Sequence, residues 1–481
     1  MRQAVMLLGA LAAFGCSAGK SDGDPTLGGD DSSVPVDSGG LPPPNDGGAG
    51  FDVPSDVPPA CTGLRCQQVK CGGTATTSIS GTVYAPNGTL PLYDVIVYVP
   101  NLKPLALTKG ATCDRCGAMA SGDPIVTALT DAKGQFTLKD VPVGTDIPLV
   151  MQLGKWRRQI TIPSVAKCVD TKLTDPSLTR LPKNRAEGDM PRIAVTTGAA
   201  DKIACMLPKI GIDTSEFGPG SSGKEYAVEF YNGAQLTLGE PWIGKGPPGT
   251  PDATVLWDDV AKLKTYDMVI ISCEGYEAST EAPPSATTAS WPHPQTPKSY
   301  QAMTDYLAQG GRIFTTDFEY TWYKYSPDTA LRGVGTIPGG APIGASPIEL
   351  DTSFPKGKAL ADWLQVVEPT APYAQVTCDY TFDNVSAVTK PQSQTWASSG
   401  SPVHPRFFTI NTPVGKPVEE QCGKAVHLDA HINHTDKVDE SFPAGCTAPI
   451  KQGEKAFAFF FFDLAACIQD EGVAPTPPPI R

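Results

Sequence analysis

Two stretches decide the fold of this chain: Tyr266-Asp267-Met268-Val269-Ile270-Ile271-Ser272 and Tyr306-Leu307-Ala308-Gln309-Gly310-Gly311-Arg312-Ile313-Phe314. The first is a short apolar run, the pattern of a strand buried on both faces. The second joins the end of a helical period to another such strand through two glycines. Working outward, Arg192-Ile193-Ala194-Val195-Thr196-Thr197-Gly198 reads as a further buried strand ending in a small-residue turn. Asp201 to Ile210 is predicted helical, with Ile203, Met206, Leu207 and Ile210 on one face. A strand at Tyr226 to Tyr231, helices near Val255 to Leu263 and at Ser299 to Gln309, and a strand at Arg312 to Thr316 continue the alternation. Pro355 to Val367 and Gly453 to Cys467 add helices, and Lys424 to His431 adds a strand. Strands interleaved with helices of this length predict an α/β, doubly wound parallel-sheet domain over residues 186–470.

Upstream the period changes to two. Ser78-Ile79-Ser80-Gly81-Thr82-Val83-Tyr84, the break Pro86-Asn87-Gly88, and Val95-Ile96-Val97-Tyr98-Val99 are short β-branched strands separated by turn residues. Asp131 and Gly134 suit the first and last positions of a tight turn, after which Phe136 and Leu138 share one face of a strand. The chain is therefore predicted to be multidomain, with an all-β antiparallel sandwich over residues 61–175 preceding the α/β part.

Several of these elements, taken in order, resemble a known family. Gly81-Thr82-Val83, Pro91-Leu92-Tyr93-Asp94-Val95, Thr130-Asp131-Ala132-Lys133-Gly134-Gln135-Phe136-Thr137-Leu138 and Val141-Pro142-Val143-Gly144 are similar to the carboxypeptidase-regulatory-like domain. That resemblance implies a prealbumin-like β-sandwich, binding of carbohydrate or protein, and no catalysis. The two stretches quoted first resemble the flavodoxin-like, class I glutamine-amidotransferase-like architecture. Together the two parts look like a group of uncharacterised bacterial surface lipoproteins.

The start of the chain fits that group. Arg2, an apolar run from Ala4 to Phe14 and small residues up to Gly15 read as a signal peptide over residues 1–15. Ala13-Phe14-Gly15-Cys16 resembles a lipobox, which makes Cys16 the expected lipidation site and the membrane a partner through that anchor. Ser17 after it suggests the outer membrane. Residues 16–60 carry eight Asp and one Lys among Gly, Ser and Pro, too little apolar surface to offset ordering, so a disordered acidic linker is expected. It holds seven of the thirteen net negative charges, and the acidic remainder argues against nucleic acid as a partner. A Pro-rich disordered tail is expected over 471–481. The phenylalanine run at Phe457 to Phe462 is too short to span a bilayer and reads as a helix buried against the sheet.

Without Cys16 the chain has twelve cysteines, an even number that points to disulfides. Zinc is the rival reading for the Cys113/Cys116 pair, although no His is nearby to complete a site.

Ligands of open α/β sheets sit at the carboxyl ends of strands, so the chemistry is sought there. Amidotransferases place a nucleophilic Cys in a Gly-x-Cys-x-Gly elbow between strand and helix. Here the helix-Gly-Gly-strand block leads instead into Thr315-Thr316-Asp317-Phe318-Glu319, with no Cys. The catalytic candidates are Cys273, Asp317 and Glu319. His427, Asp429 and His431 alternate, so on a continuous strand they share one face and become candidate ligands for a divalent metal, with His434 close by. Trp156 with Arg157 and Arg158 is a candidate site for an anionic glycan or lipid headgroup. The missing elbow favours a non-catalytic surface protein that binds a glycan or protein ligand. A metal-dependent hydrolase using the histidine cluster, or a thiol enzyme using Cys273, are the alternatives.

Overall fold

The computed structural model describes residues 61–198, 202–220, 222–233, 246–273, 295–340, 342–344, 346–432, 442, 446 and 448–480. Cys16, the acidic linker, Glu274 and His434 lie outside the described residues. No helix among the described residues is long and apolar enough to cross a membrane.

The first part is built from two sheets. One joins Gln135–Lys139, Ser78–Thr82 and Asp170–Leu173, and the other joins Pro124–Leu129, Ile96–Pro100, Gly144–Leu153 and Trp156–Val165. Pairing is antiparallel except between Ser78–Thr82 and Asp170–Leu173. The Asp131 turn forms as expected: the Asp131 carboxylate accepts from the backbone N–H groups of Lys133 and Gln135. Gly134 there has φ +71, and Phe136 and Leu138 are buried on one side of the strand that follows.

The second part is built on a ten-stranded sheet, with two small sheets beside it among the described residues: Gly335–Thr336 with Ala387–Val388, and Pro342–Gly344 with Tyr380–Phe382 and Ala430–His431. Six strands are parallel, in the order Gly423–Leu428, Arg312–Thr316, Met268–Ile271, Ile193–Thr197, Val228–Asn232, Phe217–Pro219. Four antiparallel strands extend the other edge: His404–Thr412, Ser393–Ser399, Pro347–Leu350 and Gln375–Thr377. This extension was absent from the expected doubly wound sheet. The strand order reverses at Ile193–Thr197, flanked by Val228–Asn232 on one side and Met268–Ile271 on the other. The helix-Gly-Gly-strand block takes its shape from Gly310: helix Pro297–Ala308 is capped by Gln309, and φ +99 at Gly310 turns the chain into the next strand.

Helix Gln452–Ala465 explains its own phenylalanine run. It is buried on every side because apolar elements surround it. Phe457 meets Phe314 and Phe407 on the sheet, Phe460 meets Trp396, Phe459 stacks on Tyr93, and Trp156 meets Phe462 edge-on. Ile79, Val97 and Leu149 of the first part and Val195, Ile270 and Phe314 of the second consequently belong to one buried cluster.

A closed set of charges sits beside that helix. Lys356 and Lys424 each reach both Asp463 and Glu471, and all four side chains are buried. Glu471 belongs to the segment expected to be a disordered tail. Within residues 471–480, the Glu471 ion pairs and the bond from Thr127 Oγ1 to the carbonyl of Pro478 dock the tail instead. Five disulfides join Cys61 to Cys66, Cys71 to Cys168, Cys113 to Cys422, Cys116 to Cys467 and Cys205 to Cys446. Cys113 and Cys116 thus take separate partners, which removes the zinc reading of that pair. Cys273 and Cys378 stand outside the bridges.

Candidate functional site at the carboxyl edge of the sheet

Three neighbouring parallel strands bring chemistry together where they end. Their register pairs Ile271 with Thr315, and Thr315 with His427, so residues just beyond these positions converge. Cys273 follows Met268–Ile271, Asp317 follows Arg312–Thr316, and His431 follows Gly423–Leu428. All three are buried, and one donor atom from each lies within 4.8 Å of the others. Cys273 Sγ donates to Asp317 Oδ2 at 3.2 Å, and His431 Nε2 lies 2.8 Å from the same oxygen. Asp317 occupies the strand-to-helix turn with φ +42, a left-handed conformation that is uncommon for a residue with a side chain.

Behind Asp317 is Asn384, which sequence reading missed. Its Nδ2 donates to Asp317 Oδ1 and to Asp429 Oδ1, both at 2.6 Å, and its backbone N–H donates to Asp429 Oδ2. Burial, with the charge of Asp317 adding to it, pushes the Asp429 carboxyl up to about 7. Arg406 Nη1 is 3.9 Å from Asp429 and 2.9 Å from Asp383. At Gly198, beside the strand-order reversal, a Cβ would come within 2.1 Å of the Cys273 carbonyl oxygen, so only glycine lets the two strand ends approach.

The alternation expected of His427, Asp429 and His431 does not hold. The strand ends at Leu428, and Ala430–His431 pairs instead with Tyr380–Phe382 in a different sheet. His427 is packed among Tyr320, Tyr323 and Phe408, with Nδ1 3.0 Å from Thr315 Oγ1. Burial lowers its pKa to about 3, which keeps the ring neutral. Asp429 faces Asn384. Only His431 of the three joins Asp317, so the proposed ligand set is corrected. Glu319 is likewise turned away, accepting from Trp322 Nε1 at 2.8 Å.

The Trp156 group is also corrected. Trp156 is fully buried, Arg157 binds the Asp189 carboxylate and the Leu105 carbonyl, and Arg158 caps the carbonyls of Ser177 and Arg180. The indole therefore packs the core rather than a ligand. Next to it, however, a cleft of about 570 Å³ opens at the amino ends of the parallel strands. Lys109, Lys155, Arg185, Arg192 and Lys264 line it against Asp189, Glu225 and Asp267.

Fold and site define an α/β protein with a buried thiol–carboxylate–imidazole cluster at the carboxyl edge of a mixed sheet. No protein-family model and no curated protein matches the chain. Among solved structures it is similar to a ThuA-like protein of Bacteroides uniformis, at 11% identity and TM-score 0.30, over 56% of this chain and 89% of that one. A ThuA-like protein of Parabacteroides merdae matches at 12% identity and TM-score 0.30, over 60% of this chain and 94% of that one.

Proposed function

We propose that this chain is an exported lipoprotein, held at the outer membrane through Cys16 and an acidic tether, that binds an anionic glycan without catalysis. In this reading the first part is a carboxypeptidase-regulatory-like, prealbumin-like sandwich, and the second is an amidotransferase-like domain that has lost its elbow cysteine. The observation that carries the ligand is the cleft between the two parts. Five cations against three acids line a concavity of ligand size, in a chain whose net charge is minus thirteen. Lys155 is committed to Asp267 and Arg192 to Glu229, which hold the walls, while the exposed Lys109 lies 3.6 Å from Glu225 and the exposed Lys264 donates to the Gln309 amide oxygen.

Titration of the whole chain with uronate-bearing or sulfated oligosaccharides tests the ligand. Binding that falls with salt, and falls at least tenfold in a Lys109→Glu/Lys264→Glu variant, is the expected result. Equal binding of neutral and acidic sugars, or none of either, overturns it. Retention of a Cys16→Ser chain in the membrane fraction overturns the anchor.

A further inference from the structure

We propose that Cys273, Asp317 and His431 form a binding site for a single Zn²⁺ ion, independent of the cleft. The donor set suits that metal: thiolate, carboxylate and imidazole are the three ligand types zinc takes from proteins, and they come here from three different strand ends. The spacing suits it as well. Tetrahedral zinc at ordinary bond lengths sets its ligand atoms about 3.3–3.6 Å apart. The thiol and carboxylate already stand 3.2 Å apart, and the carboxylate and imidazole 2.8 Å, so an entering ion needs the first pair to open by roughly 0.3 Å and the second by roughly half an ångström.

Two further features prepare the site. Asn384 holds the far oxygen of Asp317 and ties it to Asp429, the kind of outer partner that orients a metal-binding carboxylate. The backbone of Asp317 keeps an unfavourable left-handed turn, which aims its carboxylate at both other donors. Neither feature is needed by a core that only fills space. Three protein ligands leave the fourth zinc position for water or an exogenous donor. Metal entry displaces the thiol proton, so the Cys273 Sγ–H bond to Asp317 is exchanged for a bond to the ion.

Cobalt serves as the visible probe. The whole chain, disulfides intact, is titrated with Co²⁺ alone and then with Zn²⁺. One Co²⁺ per chain is expected, with the d–d bands of a tetrahedral ion and a thiolate-to-cobalt charge-transfer band, and one equivalent of Zn²⁺ bleaches both. Cys378→Ser keeps the charge-transfer band, and Cys273→Ser loses it. Asn384→Ala keeps the stoichiometry and weakens Zn²⁺ about 10–100-fold. Should Cys273→Ser fail to fold, the wild-type spectrum and the Asn384→Ala affinity decide. A chain that binds no ion, binds one without the thiolate band, or binds equally with Asp317→Asn overturns the site and leaves the glycan reading of the cleft untouched.

Discussion

Two of the buried polar clusters in this molecule are built on opposite principles. Around Lys356, Lys424, Asp463 and Glu471 the charges match two against two, and each ammonium reaches both carboxylates. Around Asp317 two carboxylates share one amide, with an imidazole on one side and a thiol on the other. The first cluster satisfies itself and pins the tail to the helix. The second gathers donors of three kinds, and among the described residues Arg406 stands 3.9 Å from Asp429 beside it. Buried charge that is fully paired is a structural device, whereas a surplus of donors held in place by neighbours is what a cation site looks like before its cation arrives.

The largest expected effect tests the closed cluster. Lys424→Met leaves Asp463 and Glu471 with one ammonium between them and should destabilise the fold by about 3–5 kcal/mol in chemical denaturation. A loss below about 1 kcal/mol would erase the contrast between the clusters. Next, Asn384→Ala in metal-free protein removes the only amide shared by Asp317 and Asp429 among the described residues, and should destabilise by about 1–3 kcal/mol.

Asp94 sharpens the closed cluster through pH. Burial, then the acids Asp463 and Glu471 against Lys356 and Lys424, leaves its carboxyl raised to about 7 in the fold. A folded pKa above the unfolded value of about 4 means that stability is lost as pH rises from about 4 through about 7. Denaturation midpoints at pH 4 and pH 8 should show Asp94→Asn gaining on the wild type by at least about 1 kcal/mol at the higher pH, and a pH-independent difference refutes this. Asparagine accepts the φ of +62 at that position.

The smallest effect belongs to a half-exposed counterpart. Glu187 is lowered to about 2, chiefly by the hydrogen bonds from Arg180. That pair stabilises above about pH 4 and is lost as pH falls towards 2. Glu187→Gln should therefore cost about 0.5–1 kcal/mol at neutral pH and nothing at the acid end of a urea series.

The sequence carried the parallel strands well, because a strand buried on both faces is mostly apolar along its length. Met268–Ile271 and Arg312–Thr316 sit where Tyr266 to Ser272 and Arg312 to Thr316 place them, and helix Pro355–Val367 has its expected ends. Periodicity failed where tertiary contacts interrupt an element. The helix expected over Val255 to Leu263 is two short ones, since the Asp259 side chain caps Ala261 and Lys262 and restarts the turn. The antiparallel edge was illegible because Ser393–Ser399, rich in Ser and Thr, has no apolar alternation to announce it. At the site, Cys273, Asp317 and His431 were each named, but Cys273 for a thiol enzyme and Asp317 and His431 for a metal-dependent one. Their convergence depends on strand register and on where Gly423–Leu428 stops, neither of which a local pattern contains. Asn384 lies in a loop and gave no signal at all.

Cys113 and Cys116 stand three positions apart, yet they are fastened to Cys422 and Cys467, over separations of 309 and 351 residues. A chain released from its amino end must therefore hold both thiols in waiting until nearly all of it has emerged. Once closed, the two bonds make the molecule a covalent ring: a protease that cuts any loop between Cys116 and Cys422 opens the ring without detaching a fragment. Such a nick is invisible on a non-reducing gel and appears only when the thiols are restored.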